Sequence, residues 1–472
     1  MFSELDAPKE ITKPTLKTFN FIKENAALTS DQAALKASRN PEIDVHYAIN
    51  QIAGRKIAQT KLPLWAKYDD IFYPVHLSLE QCSSQATAQY KASIVKKLID
   101  SLGKNDENAR TLVDLTGGFG VDCTILSDLF QKTIYFEQQP ELASIVQHNM
   151  RILGKNNVYC FNTDSTTAIS SVSSAPSVSA NQNAQNAQST QNAQSTHKIT
   201  MIYVDPARRN SHGSRTYAIE DCTPNVLLLK QQLLSIADFV MIKLSPMLDW
   251  RKTIADFKGN VSQLHIVSCE NECKELLIIL DNDIHTNVVI NCVNDNQLTT
   301  FYAKYDLSSN RIEIISRNIS NENNDYESRI VNNSSANSLN DYSNNSLEYL
   351  KNYASYVYEP NASIMKSGCF ELLTQLYEVK QISANSHVFV SQNPIKQFPG
   401  KMLTITNICS MNKRDLKEAL NGITYANIAV RNFPMSVDAL RKKLRVKDGG
   451  QTRIIATTDS TNRHILIFAK AE

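Results

Sequence analysis

Four sets of residues have the types and spacing to do chemistry. The first is the run Val113-Asp114-Leu115-Thr116-Gly117-Gly118-Phe119-Gly120-Val121-Asp122, a glycine-rich turn between an apolar stretch and a helical pattern. Glycine suits such a turn because a β-carbon would hold a ligand away from the backbone. The second is Glu137, which closes the stretch Thr133-Ile134-Tyr135-Phe136 and lies 23 positions after Asp114. An acidic side chain there accepts hydrogen bonds from both hydroxyls of a ribose. The third is Asp164, after the run Val158 to Phe161, where a carboxylate suits an adenine amino group. Each carboxylate taken alone is more commonly an ordinary strand-end residue facing water. The fourth is Asp205-Pro206-Ala207-Arg208-Arg209, which ends the run Ile199 to Val204 where a group-transfer site would lie. A dinucleotide fingerprint fits less well, because Cys123 takes its third glycine place. The turn also lacks the Gly-Lys-Ser/Thr ending of a phosphate-binding loop.

A further cluster lies near the end of the chain. Arg441-Lys442-Lys443-Leu444-Arg445-Val446-Lys447 packs five cations into seven residues, with Leu440 and Leu444 spaced to anchor a helix. Residues 400–472 hold thirteen Lys and Arg against six Asp and Glu, a net of +7 on a chain of net +2. Such a module suits a phosphate backbone, and a solvated helix face is the ordinary alternative. Cys269 and Cys273 have no second cysteine pair, so they read as incidental thiols, and no metal is expected.

These residues need elements to position them. Thr111 to Leu115, Thr133 to Glu137, Val158 to Phe161, Ile199 to Val204 and Phe239 to Ile242 read as strands alternating with helices. One helix carries Ile125, Leu126, Leu129 and Phe130, and another begins at Pro140. That alternation implies right-handed crossovers and a parallel sheet. Leu264 to Val267 and Glu275 to Leu280 are too close for a crossover helix, so they should form an antiparallel last hairpin. Residues 1–100 read as helical, with an aromatic and basic stretch at Gln51 to Trp65 and a helix expected around Gln85 to Leu98. Ser170 to Thr196 and Asn318 to Ser346 are Ser- and Asn-rich runs with little to bury, and read as mobile insertions. Beyond the second lie two small α+β modules. The last holds a helix at Val437 to Leu444 and strands at Thr452 to Thr457 and His464 to Phe468.

Length and composition agree with several folded domains: the chain has 472 residues, 42% of them hydrophobic and 20% charged. No apolar run approaches the roughly 18 residues of a membrane span. Glu4, Asp6 and Glu10 argue against a secretory leader. Nine cysteines, an odd number without a C-x-x-C pair, point to a reducing compartment. The expectation is a cytoplasmic protein without membrane contact.

Val113 to Asp122, Glu137 and Tyr203 to Arg209 resemble class I S-adenosylmethionine-dependent methyltransferases. More narrowly, the chain resembles the bacterial group that ends in a THUMP-like domain. The likeness takes in Leu79 to Lys91, Tyr358-Glu359-Pro360-Asn361, Phe398-Pro399-Gly400 and Arg431-Asn432-Phe433-Pro434, nearly the whole chain apart from the two insertions. It implies an α/β, Rossmann-like methyltransferase sheet at residues 101–317, interrupted by the insertion at 170–196, after a helical region at 1–100. An insertion and linker at 318–355, a ferredoxin-like module at 356–399 and a THUMP-like basic domain at 400–472 would follow. It also implies S-adenosyl-L-methionine as cofactor, held by Asp114, Thr116, Gly117, Gly118, Gly120, Glu137 and Asp164. Asp205, Pro206 and Arg208 would meet the acceptor, and RNA would be the partner of Arg441, Lys442, Lys443, Arg445 and Lys447.

Methyltransferases that act on exocyclic amino groups carry an Asp/Asn-Pro-Pro-aromatic tetrad after the fourth strand. Asp205-Pro206 matches it, whereas Ala207 and Arg208 depart, which leaves the base and the acceptor atom open. An Arg plane can stack on a base, but Arg208 and Arg209 could instead pair with Asp221 and Glu220. Ser83 to Lys91 resembles a cofactor-covering segment of trimethylguanosine synthase-like enzymes, and helix capping explains Ser83 and Ser84 equally well. Lys243 ends the fifth strand as a substrate contact or a plain strand-end charge. Two alternatives stand beside the RNA methyltransferase reading: a non-catalytic RNA-binding protein on a degenerate sheet, and a methyltransferase of protein or small molecules.

Overall fold

The computed structural model describes residues 7–103, 110–167, 169, 199–207, 218–317, 328–330 and 346–471. The Ser170 to Thr196 insertion, most of Asn318 to Ser346, and Arg208 and Arg209 lie outside them. The chain divides into two compact units, Met1–Asp249 with Asp256–Ser262 and Leu277–Ile284, and Trp250–Ala255 with Gln263–Leu276 and His285–Glu472.

The first unit opens with five helices, α1 (Leu16–Glu24), α2 (Ser30–Ala37), α3 (Val45–Lys61), α4 (His76–Gln81) and α5 (Gln85–Ser101). Most begin on a side-chain cap: Thr15, Thr29, Asp44 and Ser84 each accept a backbone N–H of the first turn. The sheet follows, with β1 (Thr111–Asp114), β2 (Lys132–Phe136), β3 (Val158–Phe161), β4 (Ile199–Val204) and β5 (Ala237–Leu244). All pair in parallel, in the order β3-β2-β1-β4-β5. Next to β5 come the ends of β7 (Glu272–Leu280) and β6 (Val261–Cys269) that belong to this unit. Buried on both faces, the central strand β4 is a continuous run of buried residues, while the edge strand β3 stays partly exposed. Helices α6 (Val121–Leu126), α7 (Pro140–Ile152) and α8 (Val226–Ile236) make the crossovers. The helix expected to run through Phe130 is shorter: α6 stops at Leu126 and a 3₁₀ turn takes Ser127–Leu129.

The chain order reverses between β1 and β4, so a crevice opens beyond their carboxyl ends. The N-terminal helices contribute to the packing beneath it. Trp65, Phe72, Tyr73 and Leu79 share one apolar cluster with Phe119 of the glycine-rich turn, Val121 of α6 and Tyr135 of β2. Two buried amides fasten the segment between them. Gln51 accepts from the N–H of Tyr73 and donates to its carbonyl, and Asn149 does the same for Phe72.

In the second unit β6 and β7 form the expected hairpin, turned by Glu270 and Asn271, both at positive φ as a two-residue turn requires. The sheet does not end there. β8 (Asn287–Asn294) pairs parallel with β6, and β9 (Gln297–Asp306), β10 (Arg311–Arg317) and β11 (Ser328–Ile330) continue antiparallel. Thr299, Phe301, Ala303 and Tyr305 of β9 are buried, alternating with partly or fully exposed residues, a half-buried pattern that the Asn- and Thr-rich composition conceals.

The helices of this unit are α9 (Trp250–Asp256), α10 (Leu347–Tyr353), α11 (Ala362–Ser367), α12 (Phe370–Leu376), α13 (Lys413–Ala419) and α14 (Val437–Leu444). β12 (Tyr356–Pro360), β13 (Lys380–Gln381), β14 (Phe389–Ser391), β15 (Gly400–Ser410), β16 (Asn427–Val430), β17 (Thr452–Thr458) and β18 (His464–Lys470) form one sheet, ordered β13-β14-β12-β15-β18-β17-β16. The two small modules read from sequence therefore share a sheet through the β12–β15 pair. Arg453 on β17 makes a bidentate pair with Glu359 on β12, both bonds 2.9 Å.

Replacing Asn149 by Ala leaves the N–H and carbonyl of Phe72 buried without partners. The expected cost is about 2–4 kcal/mol. Urea unfolding of the variant measures it, with faster hydrogen exchange at the Phe72 amide.

Candidate active site

Between β1 and α6 the backbone is shaped to keep one side of the turn clear. Gly118 and Gly120 adopt φ of +54° and +74°. A β-carbon at Gly118 would meet only the Thr116 carbonyl, at 3.7 Å, so space lies open there. Gly117 faces the other way: a β-carbon would fall 1.9 Å from the Tyr135 ring. That ring is fully buried and its hydroxyl donates to Gly118 O at 2.5 Å, fixing the turn from below.

Glu137 stands at the end of β2 and reaches across to the turn. Its Oε2 accepts from the N–H of Gly118 at 3.0 Å and its Oε1 from Gln139 N–H at 2.7 Å. Burial pushes its carboxyl above the usual range, opposed by those backbone donors. Asp114 is buried beside it, and its Oδ1 accepts from Thr116 N–H at 3.1 Å. Burial drives its pKa up strongly, and the charges of Asp122, Asp205 and Glu137 push the same way. Asp164 is exposed after β3 and accepts from the N–H and hydroxyl of Thr166.

Thr116 joins this turn to the next strand. Its Oγ1 accepts from the N–H of Asp205 at 2.6 Å, beyond the end of β4. Asp205 Oδ2 pairs with Lys243 Nζ at 2.5 Å, so the charge at the end of β5 is a partner of the motif. Pro206 is buried, and Ala207 forms a two-bond bridge with Thr223, donating at 2.7 Å and accepting at 3.0 Å. The structure thus brings Thr116, Gly118, Glu137, Asp205 and Lys243 to one crevice edge.

Sequence reasoning missed a cluster just beneath. Lys91, with no exposed surface, sits 3.1 Å from Asp122 Oδ1 and donates to Ser83 Oγ at 3.0 Å. Ser83 and Tyr203 both donate to Asp122 Oδ2, at 2.7 and 2.8 Å. Burial opposes the charge of Asp122, but Lys91, Lys243 and the two hydroxyls outweigh it and hold the pKa down. Ser84 caps α5 while Ser83 does not, so the two serines have separate tasks. Motif matching singled out the segment Ser83 to Lys91 but gave no sign of the buried pair with Asp122, because a lysine in a helix ordinarily faces water.

In the C-terminal module Lys442, Lys443, Arg445 and Lys447 are exposed. Arg441 is engaged internally, with Asp438 at 3.0 Å and Asp448 at 2.6 Å. Lys447 lies over the ring of the exposed Tyr425, 5.8 Å from its centre. Among the described residues no group of acidic, His or Cys side chains is arranged to hold a metal. No helix among them is long and apolar enough to cross a membrane.

S-adenosylmethionine fits this edge by the open side of the glycine turn and the fixed carboxylate of Glu137 at its rim. Residues 356–399 match a family described as a ferredoxin-like domain, and residues 400–471 one described as THUMP domain-like. No curated protein matches the sequence. A crystal structure from Porphyromonas gingivalis W83, provisionally named a methyltransferase, is 25% identical over 97% of this chain and 98% of its own, with a TM-score of 0.71. A Bacillus cereus O-methyltransferase in complex with SAH matches at 9% identity over 48% of this chain and 91% of its own, TM-score 0.30. The T. thermophilus 16S rRNA N2 G1207 methyltransferase matches at 11% over 41% of this chain and 43% of its own, TM-score 0.26. The chain has the Rossmann-like fold of class I methyltransferases, with ferredoxin-like and THUMP-like modules at its C-terminal end.

Gly117→Ala should destabilise the protein by about 1–3 kcal/mol, since the buried Tyr135 ring must move. Gly118→Ala meets no such clash and bears only the strain of a positive φ, of order 1 kcal/mol. Denaturant midpoints of the two variants test that order.

Proposed function

We propose that this chain, a class I methyltransferase fold joined to a THUMP-like module, is an S-adenosylmethionine-dependent enzyme that methylates a base in RNA. The observation that carries the reading is the coupling of the two loops across the crevice: Thr116 of the glycine turn holds the backbone of Asp205 while Lys243 holds its carboxylate. A cofactor turn and a candidate acceptor group are thereby fixed to the same strand ends.

Bound S-adenosylmethionine supplies a methyl group on a sulfonium, ready for in-line displacement. The chain itself has to align and to exclude water, without a covalent intermediate. Asp114, Thr116, Gly117, Gly118 and Gly120 shape the cofactor cradle, Glu137 takes the ribose hydroxyls, and Asp164 meets the adenine amino group. The partly exposed Asp205 carboxylate accepts a hydrogen bond from the acceptor's N–H and orients its lone pair, while Lys243 fixes that carboxylate. Buried Pro206 sets the backbone between Asp205 and the Ala207–Thr223 bridge. Arg208, outside the described residues, would stack on the base or hold a phosphate.

RNA is the partner favoured by the basic C-terminal module. Lys442, Lys443, Arg445 and Lys447 present charge to phosphates, and Arg441 braces the helix end through Asp438 and Asp448. Phosphate contacts position a nucleic acid without reading its bases.

Three outcomes are expected. Glu137→Ala removes charge-assisted bonds worth about 1.5–3 kcal/mol each and weakens S-adenosylmethionine binding by calorimetry. Asp205→Ala leaves that affinity close to the parent and lowers turnover by orders of magnitude, of which alignment is the source. A Lys442→Gln, Lys443→Gln, Lys447→Gln triple variant binds RNA more weakly, with a log–log salt slope reduced by about 0.7 per lost contact on a single strand. The deciding experiment is mass spectrometry of modified nucleosides in each RNA class, with and without the protein. An unchanged nucleoside profile, with methyl transfer to protein or small molecules instead, overturns the RNA reading.

A further inference from the structure

The Lys91–Asp122 pair is buried and touches three elements at once. Lys91 and Ser83 belong to the N-terminal helical region, Asp122 opens the helix after the glycine turn, and Tyr203 lies on β4 two residues before Asp205. A lysine with no exposed surface is costly to keep ionised, and isolated burial of this kind is tolerated only where the geometry is supplied with partners. Here Asp122 Oδ2 takes two hydroxyl donors, while Asp122 Oδ1 has the Lys91 ion pair and no hydrogen bond among the described residues. Ser83 accepts from Lys91 and donates to Asp122, closing a triangle of bonds with the 3.1 Å ion pair.

An independent contact makes the same connection. Phe119, the side chain of the glycine turn itself, packs against Trp65 with ring centres 4.7 Å apart and against Tyr73 at 6.3 Å. Trp65 and Tyr73 both precede the sheet. Polar and apolar ties from the N-terminal region therefore converge on the two ends of one turn, at Phe119 and at Asp122. The Tyr203 bond then links that assembly to the strand that carries Asp205.

We infer that the buried Lys91–Asp122 pair, with Ser83 and Tyr203, is a latch by which the N-terminal helical region positions the glycine turn against the Asp205 strand, and that Lys91 is a positioning residue for cofactor binding. The latch makes helix α5 part of the cofactor site without touching the cofactor. Its cofactor consequence rests on the methyltransferase reading above; its effect on the order of the turn does not.

The test separates order of the turn from stability of the fold. Removing both charges together, as Lys91→Met with Asp122→Asn, avoids a lone buried ion and keeps an oxygen for Ser83 and Tyr203. In the full-length protein this double variant should melt near the parent temperature. Its Gly117 to Val121 amides should nevertheless exchange faster, and its affinity for S-adenosylhomocysteine by calorimetry should fall about tenfold or more, since small misplacements are costly in such sites. A double variant with parent-like exchange at the turn overturns the latch. If the double variant does not fold, Lys91→Arg decides by the same two readouts: it keeps the charge and moves its position, so unchanged exchange and affinity overturn the inference. Faster exchange in a protein whose parent form does not bind S-adenosylhomocysteine keeps the latch and removes the cofactor reading.

Discussion

Four carboxylates crowd the edge where β1, β2 and β4 end, and the architecture around them answers the need to keep them apart or paired. Burial is the main cause of the upward push on Asp114, and the charges of Asp122, Asp205 and Glu137 add to it. Each has its own relief. Glu137 and Asp114 take backbone N–H groups of the turns beside them. Asp205 takes Lys243, and Asp122 takes Lys91 and two hydroxyls. The relief also fixes geometry, because a hydrogen bond to a buried carboxylate is lost at high cost if its donor drifts. Distribution of these donors across α5, both turns and β5 makes the site a property of the whole first unit.

Much of that unit was legible in the sequence. Apolar runs of four to six residues alternating with helical spacing gave the parallel strands, and the seven-residue gap from Ser268 to Lys274 gave the hairpin. Glycine positions marked the turn because φ values of +54° and +74° admit few other residues. What stayed hidden has a common cause. Lys91 is a charged residue in a helix whose surface pattern predicts exposure, and Lys243 was singled out at its strand end without its partner; only a partner distant in sequence makes their burial tolerable. Pairs separated by 31 or 38 positions leave no local signal. The continuation through β8 to β11 was hidden for another reason, since its inward residues include Thr299 and Ala303 among polar neighbours.

The C-terminal sheet shows a different division of labour. Its core is apolar on both sides of the β15–β18 pair, and the basic run lies on and just after α14, where Leu440 and Leu444 anchor the helix and leave the cations outside. Arg441 illustrates how a charge count overstates a binding surface. Two aspartates claim its guanidinium, so it secures the shape of the helix end while its neighbours stay exposed.

The departure from the acceptor tetrad also has a structural explanation. A second proline after Asp205-Pro206 would stiffen the backbone but could not donate a hydrogen bond. Ala207 does donate, to Thr223 at 2.7 Å, and accepts the return bond at 3.0 Å. The isolated bridge holds Ala207 by two backbone bonds, the first of which a proline could not make. It also ties the motif to the loop before α8, which contributes Thr223 but no charge to the bridge. Asp205 itself is held by Thr116 and Lys243, and two residues on, the bridge adds a bond from a backbone N–H that a proline would lack.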